Sequence, residues 1–280
     1  MLHRFIALFL AVIFGLSIIL WKPASTSNPA ASPEDRAKED LSRFDYPSQR
    51  SIKWQAHFLM PHESLERLFG DDWVYVARFN RLDRRHAYPG VTIKVPLNLR
   101  EARNYEPLPL FYGPAKDHSK YILIDVTEQW LGTYEYGKLR FSMPAITGIE
   151  GHLTPLGMFK IDARHRKHTS SLYKTAKGDA QYPMDYALRF FVDEKYVTYW
   201  IHARDMPGRP ASHGCIGIYD EEMQKRVYKV PEKPVLKDAQ RLFFWVCDNR
   251  EDPPGIVPIE DGPLVEIRGN LPNYLAFSRN

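Results

Sequence analysis

A run of seventeen uncharged residues near the start, Phe5 to Trp21 (FIALFLAVIFGLSIILW), limits what this chain can fold into more than any other feature. Every position is apolar or small, so a helix made from it has no polar face to offer water and does not suit the edge of a soluble core. Arg4 precedes the run and Lys22 follows it. Its length lies at the bottom of what crosses a hydrocarbon core of ~30 Å, yet exceeds the usual apolar stretch of a cleaved signal peptide. Residues 1–22 are therefore expected to be a signal peptide or a membrane anchor, with the rest of the chain periplasmic and residues 5–21 available to hold it in the inner membrane. Residues 23–50, with Pro23, Pro29, Pro33 and the mixed-charge run Glu34 to Asp40, read as a flexible linker.

About 230 residues then remain to fold, a length that suits two modules. Lys and Arg number 38 against 34 Asp and Glu, a balance too mild to call for nucleic acid as a partner. Twenty-two prolines against sixteen glycines, with sixteen Tyr and fifteen Phe, favour a strand-rich body broken by turns over a helical bundle. Residues 55–98 give the order strand, helix, helix, strand. A short strand at His57–Met60 precedes a helix from Ser64 closed by Gly70, then a helix over Asp72–Phe79 with Trp73, Val76 and Ala77 on one face. The alternation Val91-Thr92-Ile93-Lys94-Val95-Pro96 follows the turn Tyr88-Pro89-Gly90. This order, with Pro61 to Glu66, Asn80 and Pro89-Gly90 through Val95-Pro96, resembles a LysM domain, although His62-Glu63 stands where that family usually has Gly-Asp. The resemblance implies a small α+β module that holds N-acetylglucosamine-containing glycan strands. A small α+β cap packed on the main domain is the other reading of the same residues.

Residues 118–270 read as mostly β. Tyr121 to Val126 suits a strand buried on both faces, Trp130 to Tyr136 a hairpin partner turning at Tyr136-Gly137-Lys138, and Met158–Ile161 and Tyr196–Ile201 further strands. Asp220 is placed to cap one helix, and a second is expected over Leu236–Val246. Chemistry concentrates in Ile201-His202-Ala203 and Ser212-His213-Gly214-Cys215-Ile216. A thiolate is the nucleophilic form of cysteine, and a neighbouring imidazole can take its proton or lower its pKa from the free value of ~8.5, which makes acyl transfer the natural reaction. Gly214 allows a sharp turn under the nucleophile, and the N–H groups of Gly214 and Cys215 could face a developing oxyanion. Cys247, within Phe243-Phe244-Trp245-Val246-Cys247, reads as a core residue, and a disulfide from it to Cys215 would silence the nucleophile. His152, His165, His168, His202, His213 and Cys215 offer zinc ligand types, but neither His-Glu-x-x-His nor Cys-x-x-Cys spacing occurs, and Arg164 to Ser170 reads as a solvated loop. No metal or other cofactor is expected.

The Ser212-His213-Gly214-Cys215 run after a strand-end histidine resembles the signature of the YkuD-type L,D-transpeptidases, cysteine enzymes of bacterial peptidoglycan. Thr147-Gly148 and Thr154-Pro155-x-Gly157-x-Phe159 agree with that family's order. The resemblance implies a β-sandwich catalytic domain with the cysteine at the base of a cleft. It implies Cys215 as the acylated nucleophile and His202 as proton acceptor and donor, oriented by a backbone carbonyl. His213 would shape the site, Ser212 would support it, and the amide of Gly214 or Cys215 would serve the oxyanion. Two departures stand out. Only nine residues, Ala203 to Ala211, separate His202 from Ser212, so the loop over the cleft is expected to be reduced. Gly217 follows Ile216 where the family usually has Arg or Asn, which leaves Arg204 and Arg209 as candidate substrate contacts. The implied partners are peptidoglycan stem peptides, which lose a terminal D-alanine, and an amine acceptor. That acceptor is a neighbouring stem (a 3-3 cross-link), a lipoprotein lysine or a free D-amino acid. A cysteine hydrolase trimming wall peptides and a non-catalytic wall-binding module are the competing readings.

Overall fold

The computed structural model describes residues 39–175, 178–248 and 254–275. The apolar segment at residues 5–21, expected as signal or anchor, lies outside the described residues, among which no helix is long and apolar enough to cross a membrane.

The N-terminal part contains, in order, β1 (Phe44–Asp45), β2 (Trp54–Phe58), α1 (Leu65–Phe69), α2 (Trp73–Phe79), β3 (Thr92–Pro96) and α3 (Leu99–Arg103). Ser64 caps α1 by accepting from the Arg67 N–H, and Gly70 ends it at φ +53°, a conformation that suits glycine. β2 and β3 pair antiparallel, from Trp54 opposite Pro96 to Phe58 opposite Thr92. Leu65, Trp73, Val76, Val91 and Ile93 share one apolar core with Ile146, Met206, Tyr219 and Leu236 of the main body. Ion pairs between Arg84 and Glu221 at 2.6 Å and between Arg78 and Asp238 at 2.7 Å cross the same junction.

The linker expected through residue 50 ends sooner. Leu41, Tyr46 and Gln49 are each 2% exposed, so residues 41–49 are packed on the body as a strap. Tyr46 donates to the Gly208 carbonyl at 3.1 Å and Gln49 to the Phe79 carbonyl at 2.5 Å, partners far along the chain that local composition does not reveal.

The main body follows with β4 (Tyr121–Asp125), β5 (Trp130–Glu135), β6 (Lys138–Pro144), β7 (Gly157–Lys160), β8 (Ala163–Lys174), β9 (Gln181–Val192), β10 (Thr198–Arg204) and β11 (Ile216–Tyr219). Then come α4 (Glu221–Tyr228), α5 (Asp238–Cys247), β12 (Val257–Pro258), β13 (Leu264–Arg268) and β14 (Asn273–Tyr274), the last paired with β1. The fold is mostly β, as expected. Two five-stranded sheets, in the orders β6-β5-β4-β13-β7 and β11-β10-β9-β8-β12, enclose the principal core. Ile122, Ile124, Leu131 and Val265 of one sheet meet Leu188, Ile201 and Ile216 of the other, with Leu242 and Phe243 of α5 filling the same core. Asp220 does cap α4, accepting from the Met223 N–H at 2.8 Å.

The segment expected as a solvated loop, Arg164 to Ser170, is instead part of β8, with His165 opposite Ala187 and His168 opposite Met184 of β9. β8 lacks apolar alternation because a strand is defined here by its ladder to a neighbour, not by a buried face of its own.

Candidate active site

Strand periodicity places the chemical residues. Along β10, Ile201 and Ala203 point into the inter-sheet core, which leaves Trp200 and His202 on the opposite face. β11 runs parallel to β10 with Ile201 opposite Ile216 and His202 opposite Gly217. Cys215, immediately before β11, therefore shares the face of Trp200 and His202, and its side chain packs against the cluster of Trp200, Met184 and Ala187. Cys247 lies in the inter-sheet core, so the sheet separates the two thiols.

The turn carrying Cys215 is built by its own residues. Ser212, fully buried, donates from Oγ to the Cys215 carbonyl at 2.5 Å and accepts the Gly214 N–H at 3.1 Å. Gly214 sits at φ +108°, and a Cβ there would meet the Tyr199 ring at 2.6 Å, so backbone and packing both require glycine. This geometry corrects one expectation. The Gly214 amide is engaged inside the turn, which leaves the Cys215 amide as the candidate oxyanion donor. The Thr147-Gly148 segment lies against the turn, with Ala211 and Ser212 donating to the Thr147 carbonyl and the Thr154 hydroxyl accepting the Gly148 N–H at 3.0 Å.

His202 is 2% exposed, and its Nδ1 bonds the Ala203 carbonyl at 2.7 Å. A carbonyl only accepts, so Nδ1 carries the proton and Nε2 is left as the acceptor. Burial, helped by the Arg204 charge, pushes the imidazole down to about 3, so it is neutral at rest. Burial also pushes the Cys215 thiol above its usual range, against the Trp200 backbone hydrogen bond and the Arg204 charge. An imidazole was expected to lower that thiol, but both groups are desolvated and desolvation favours the neutral form of each. Alkylation of Cys215 by iodoacetamide is thus expected to be slow at neutral pH and to rise about tenfold per pH unit toward the alkaline side. Mass spectrometry of the Cys215 peptide across a pH series checks this, and a rate already flat at neutral pH would mean a preformed thiolate.

His213 is exposed and held between aromatic neighbours, stacked on Tyr173 of β8 at 4.4 Å between ring centroids and met edge-on by His152 at 4.7 Å. His152 enters the sequence reading only as a zinc ligand type and Tyr173 not at all, since only the tertiary structure brings the two rings to His213. Of the two arginines, Arg204 joins the site. Its methylene stem lies over Gly217, where a Cβ would come within 2.3 Å of Arg204 Cδ, and its Nη2 donates to the Ala211 carbonyl at 2.7 Å. Arg209 turns away and pairs with Glu39 at the start of the strap. The short stretch between His202 and Ser212 is tied to the N-terminal part, with the Asp83 N–H donating to the Met206 carbonyl at 2.8 Å. His165 and His168 face each other with Nδ1 atoms 3.0 Å apart, and among the described residues no group of three or more His, Cys, Asp and Glu side chains is arranged to hold a metal ion.

With this geometry in place, the sequence of residues 119–249 matches the YkuD family, described as the L,D-transpeptidase catalytic domain. No curated protein matches the chain. Among solved structures, the L,D-transpeptidase of Xylanimonas cellulosilytica (residues 123–326) is 18% identical, with 69% of this chain and 78% of that one covered and a TM-score of 0.40. The L,D-transpeptidase of Stackebrandtia nassauensis is 21% identical over 55% of this chain and 58% of that one, at a TM-score of 0.36. L,D-transpeptidase 1 of Mycobacterium tuberculosis is 16% identical over 54% and 62%, at 0.35. The chain thus spans 58% and 62% of the length of the latter two relatives. The matched residues run from just before β4 to just past α5, and include His202 and the whole Ser212–Cys215 turn.

Proposed function

We propose that the protein is a peptidoglycan L,D-transpeptidase working on the cell wall outside the cytoplasm. The observation that carries this is the pairing of β10 with β11, which sets a neutral His202, its Nδ1–H fixed on the Ala203 carbonyl, on the same sheet face as Cys215. In the first half-reaction the thiol proton passes to His202 Nε2 while Sγ attacks the carbonyl before the terminal D-alanine of a tetrapeptide stem. The Cys215 amide faces the oxyanion. The C–N bond then breaks, His202 returns the proton to the departing D-alanine amine, and a thioester remains on Cys215. In the second half-reaction an acceptor amine gives its proton to His202 and attacks the thioester, forming the new amide and releasing the thiol. Arg204, reaching over Gly217, supplies the positive charge beside the site and suits a carboxylate of the donor stem.

The acceptor amine is a neighbouring stem, a lipoprotein lysine or a free D-amino acid. The LysM-like strand, helix, helix, strand unit would keep the enzyme on glycan strands, and residues 5–21 would keep it at the membrane. The test is to incubate the full-length chain, in detergent, with purified sacculi and to identify muropeptides by mass spectrometry. New 3-3 dimers, attached lipoprotein peptides or exchanged terminal D-amino acids are expected and name the acceptor. Shorter stems without any new linkage would make the protein a hydrolase, and unchanged muropeptides with co-sedimentation would make it a binding module.

A further inference from the structure

The turn that carries Cys215 is held from two sides, and both supports lead to the same three residues of the N-terminal part. On one side Arg81, with no exposure, donates from Nε and Nη2 to the Glu128 carbonyl at 3.0 and 2.9 Å. The next residue, Gln129, is equally buried and clamps Thr147 twice. Its Nε2 donates to Thr147 Oγ1 at 2.6 Å and its Oε1 accepts the Thr147 N–H at 2.8 Å. The Thr147 carbonyl then accepts the N–H groups of Ala211 and Ser212 at 3.1 and 3.0 Å, and Ser212 Oγ holds the carbonyl of Cys215. On the other side Asp83 accepts the Met206 N–H at 2.7 Å, Leu82 bridges Pro207, and the Arg81 carbonyl accepts the Gly208 N–H at 3.1 Å. Residues 206–211 run directly into Ser212, so both approaches to the turn are fixed by Arg81, Leu82 and Asp83.

We propose that Gln129 and Arg81 are positioning residues for Cys215, so that the docked N-terminal unit sets the geometry of the reacting thiol. The proposal rests on Cys215 being the nucleophile. Buried hydrogen bonds in series have few alternative partners, so a displacement at one end is passed to the other instead of being absorbed by water. The N-terminal part is thereby a component of the catalytic apparatus.

Gln129→Met keeps the side-chain volume and removes both bonds to Thr147. In the full-length chain at a temperature well below melting, with a soluble disaccharide-tetrapeptide as donor, kcat is expected to fall about 100-fold while KM stays within about twofold, the signature of a misplaced reacting atom. Iodoacetamide labelling of Cys215 is expected to rise by about threefold or more, because a loosened turn uncovers the thiol. Gln129→Glu keeps the acceptor for the Thr147 N–H and should recover part of kcat. A folded Gln129→Met protein with wild-type kcat and wild-type labelling would overturn the proposal, as would a loss of activity that only tracks the unfolded fraction. If the wild-type chain turns over no substrate, the assignment of function fails, and labelling alone then decides: unchanged labelling in Gln129→Met overturns the positioning role. Should that variant not fold, Thr147→Val, which removes only the hydroxyl bonded to Gln129, carries the same readouts.

Discussion

Cys215→Ala is expected to abolish turnover on sacculi, a loss of about 10⁴-fold or more, since removal of a nucleophile leaves only binding and oxyanion contacts to act on the substrate. The fold should tolerate the change. Cys215 is only partly buried, and its backbone carbonyl, not its sulfur, receives the Ser212 hydroxyl that shapes the turn. The lost sulfur contacts with Trp200 and Met184 are expected to cost about 1 kcal/mol or less, which lowers the melting temperature of a chain this size by roughly 2–4 °C. Muropeptide analysis and thermal unfolding on the same preparation check both halves. Activity retained in the folded variant would remove Cys215 from the reaction.

Arg81→Met is expected to give the largest loss of stability, about 3–5 kcal/mol, because it removes one partner of a buried charge pair and leaves the other in place. The guanidinium donates to the Phe79 carbonyl at 2.6 Å and Tyr105 Oη at 2.8 Å besides the Glu128 carbonyl, and lies 3.8 Å from the Tyr46 ring centroid and 5.1 Å from that of Trp130. The Glu128 carboxylate, 3.4 Å from Arg81 Nη2, keeps the Ser48 N–H and hydroxyl as donors, which moderates the cost but does not replace the lost charge. Methionine also leaves the Glu128 carbonyl without its donors, whereas the Phe79 carbonyl keeps Gln49 Nε2, and an unsatisfied buried acceptor is itself costly. Urea unfolding followed by tryptophan fluorescence measures the difference, and a loss below about 1 kcal/mol would show that water or rearrangement satisfies those groups. Arg81→Lys should recover little, since a point charge cannot reproduce a planar fork that serves four acceptors.

Two helices were legible from their ends, α4 from its Asp220 cap and α1 from the glycine that closes it, because such end signals lie within a few residues of the helix. Strands β4 and β10 were legible as well, since Tyr121–Asp125 and the β10 region show continuous or alternating apolar residues that a buried sheet demands. β8 was not, although it supplies Tyr173 and His168, because its side chains are largely polar and only its ladder to β9 makes it a strand. The strap at residues 41–49 was hidden for a related reason. Its few buried side chains sit among charged neighbours, and their partners Phe79 and Gly208 lie far away in sequence.

By itself the sequence determined which residue types stand together around Cys215, the glycine that the turn needs, and the strand-rich character of the body, all properties of short spans. Only the tertiary structure decided that Arg204 and not Arg209 reaches the site, that the Gly214 amide is occupied, that burial raises the thiol instead of the imidazole lowering it, and that residues 81–83 hold the turn. Each of these depends on which distant groups exclude water from one another or complete one another's hydrogen bonds. That is set by the packing of two sheets and the N-terminal unit, and no local pattern in the chain records it.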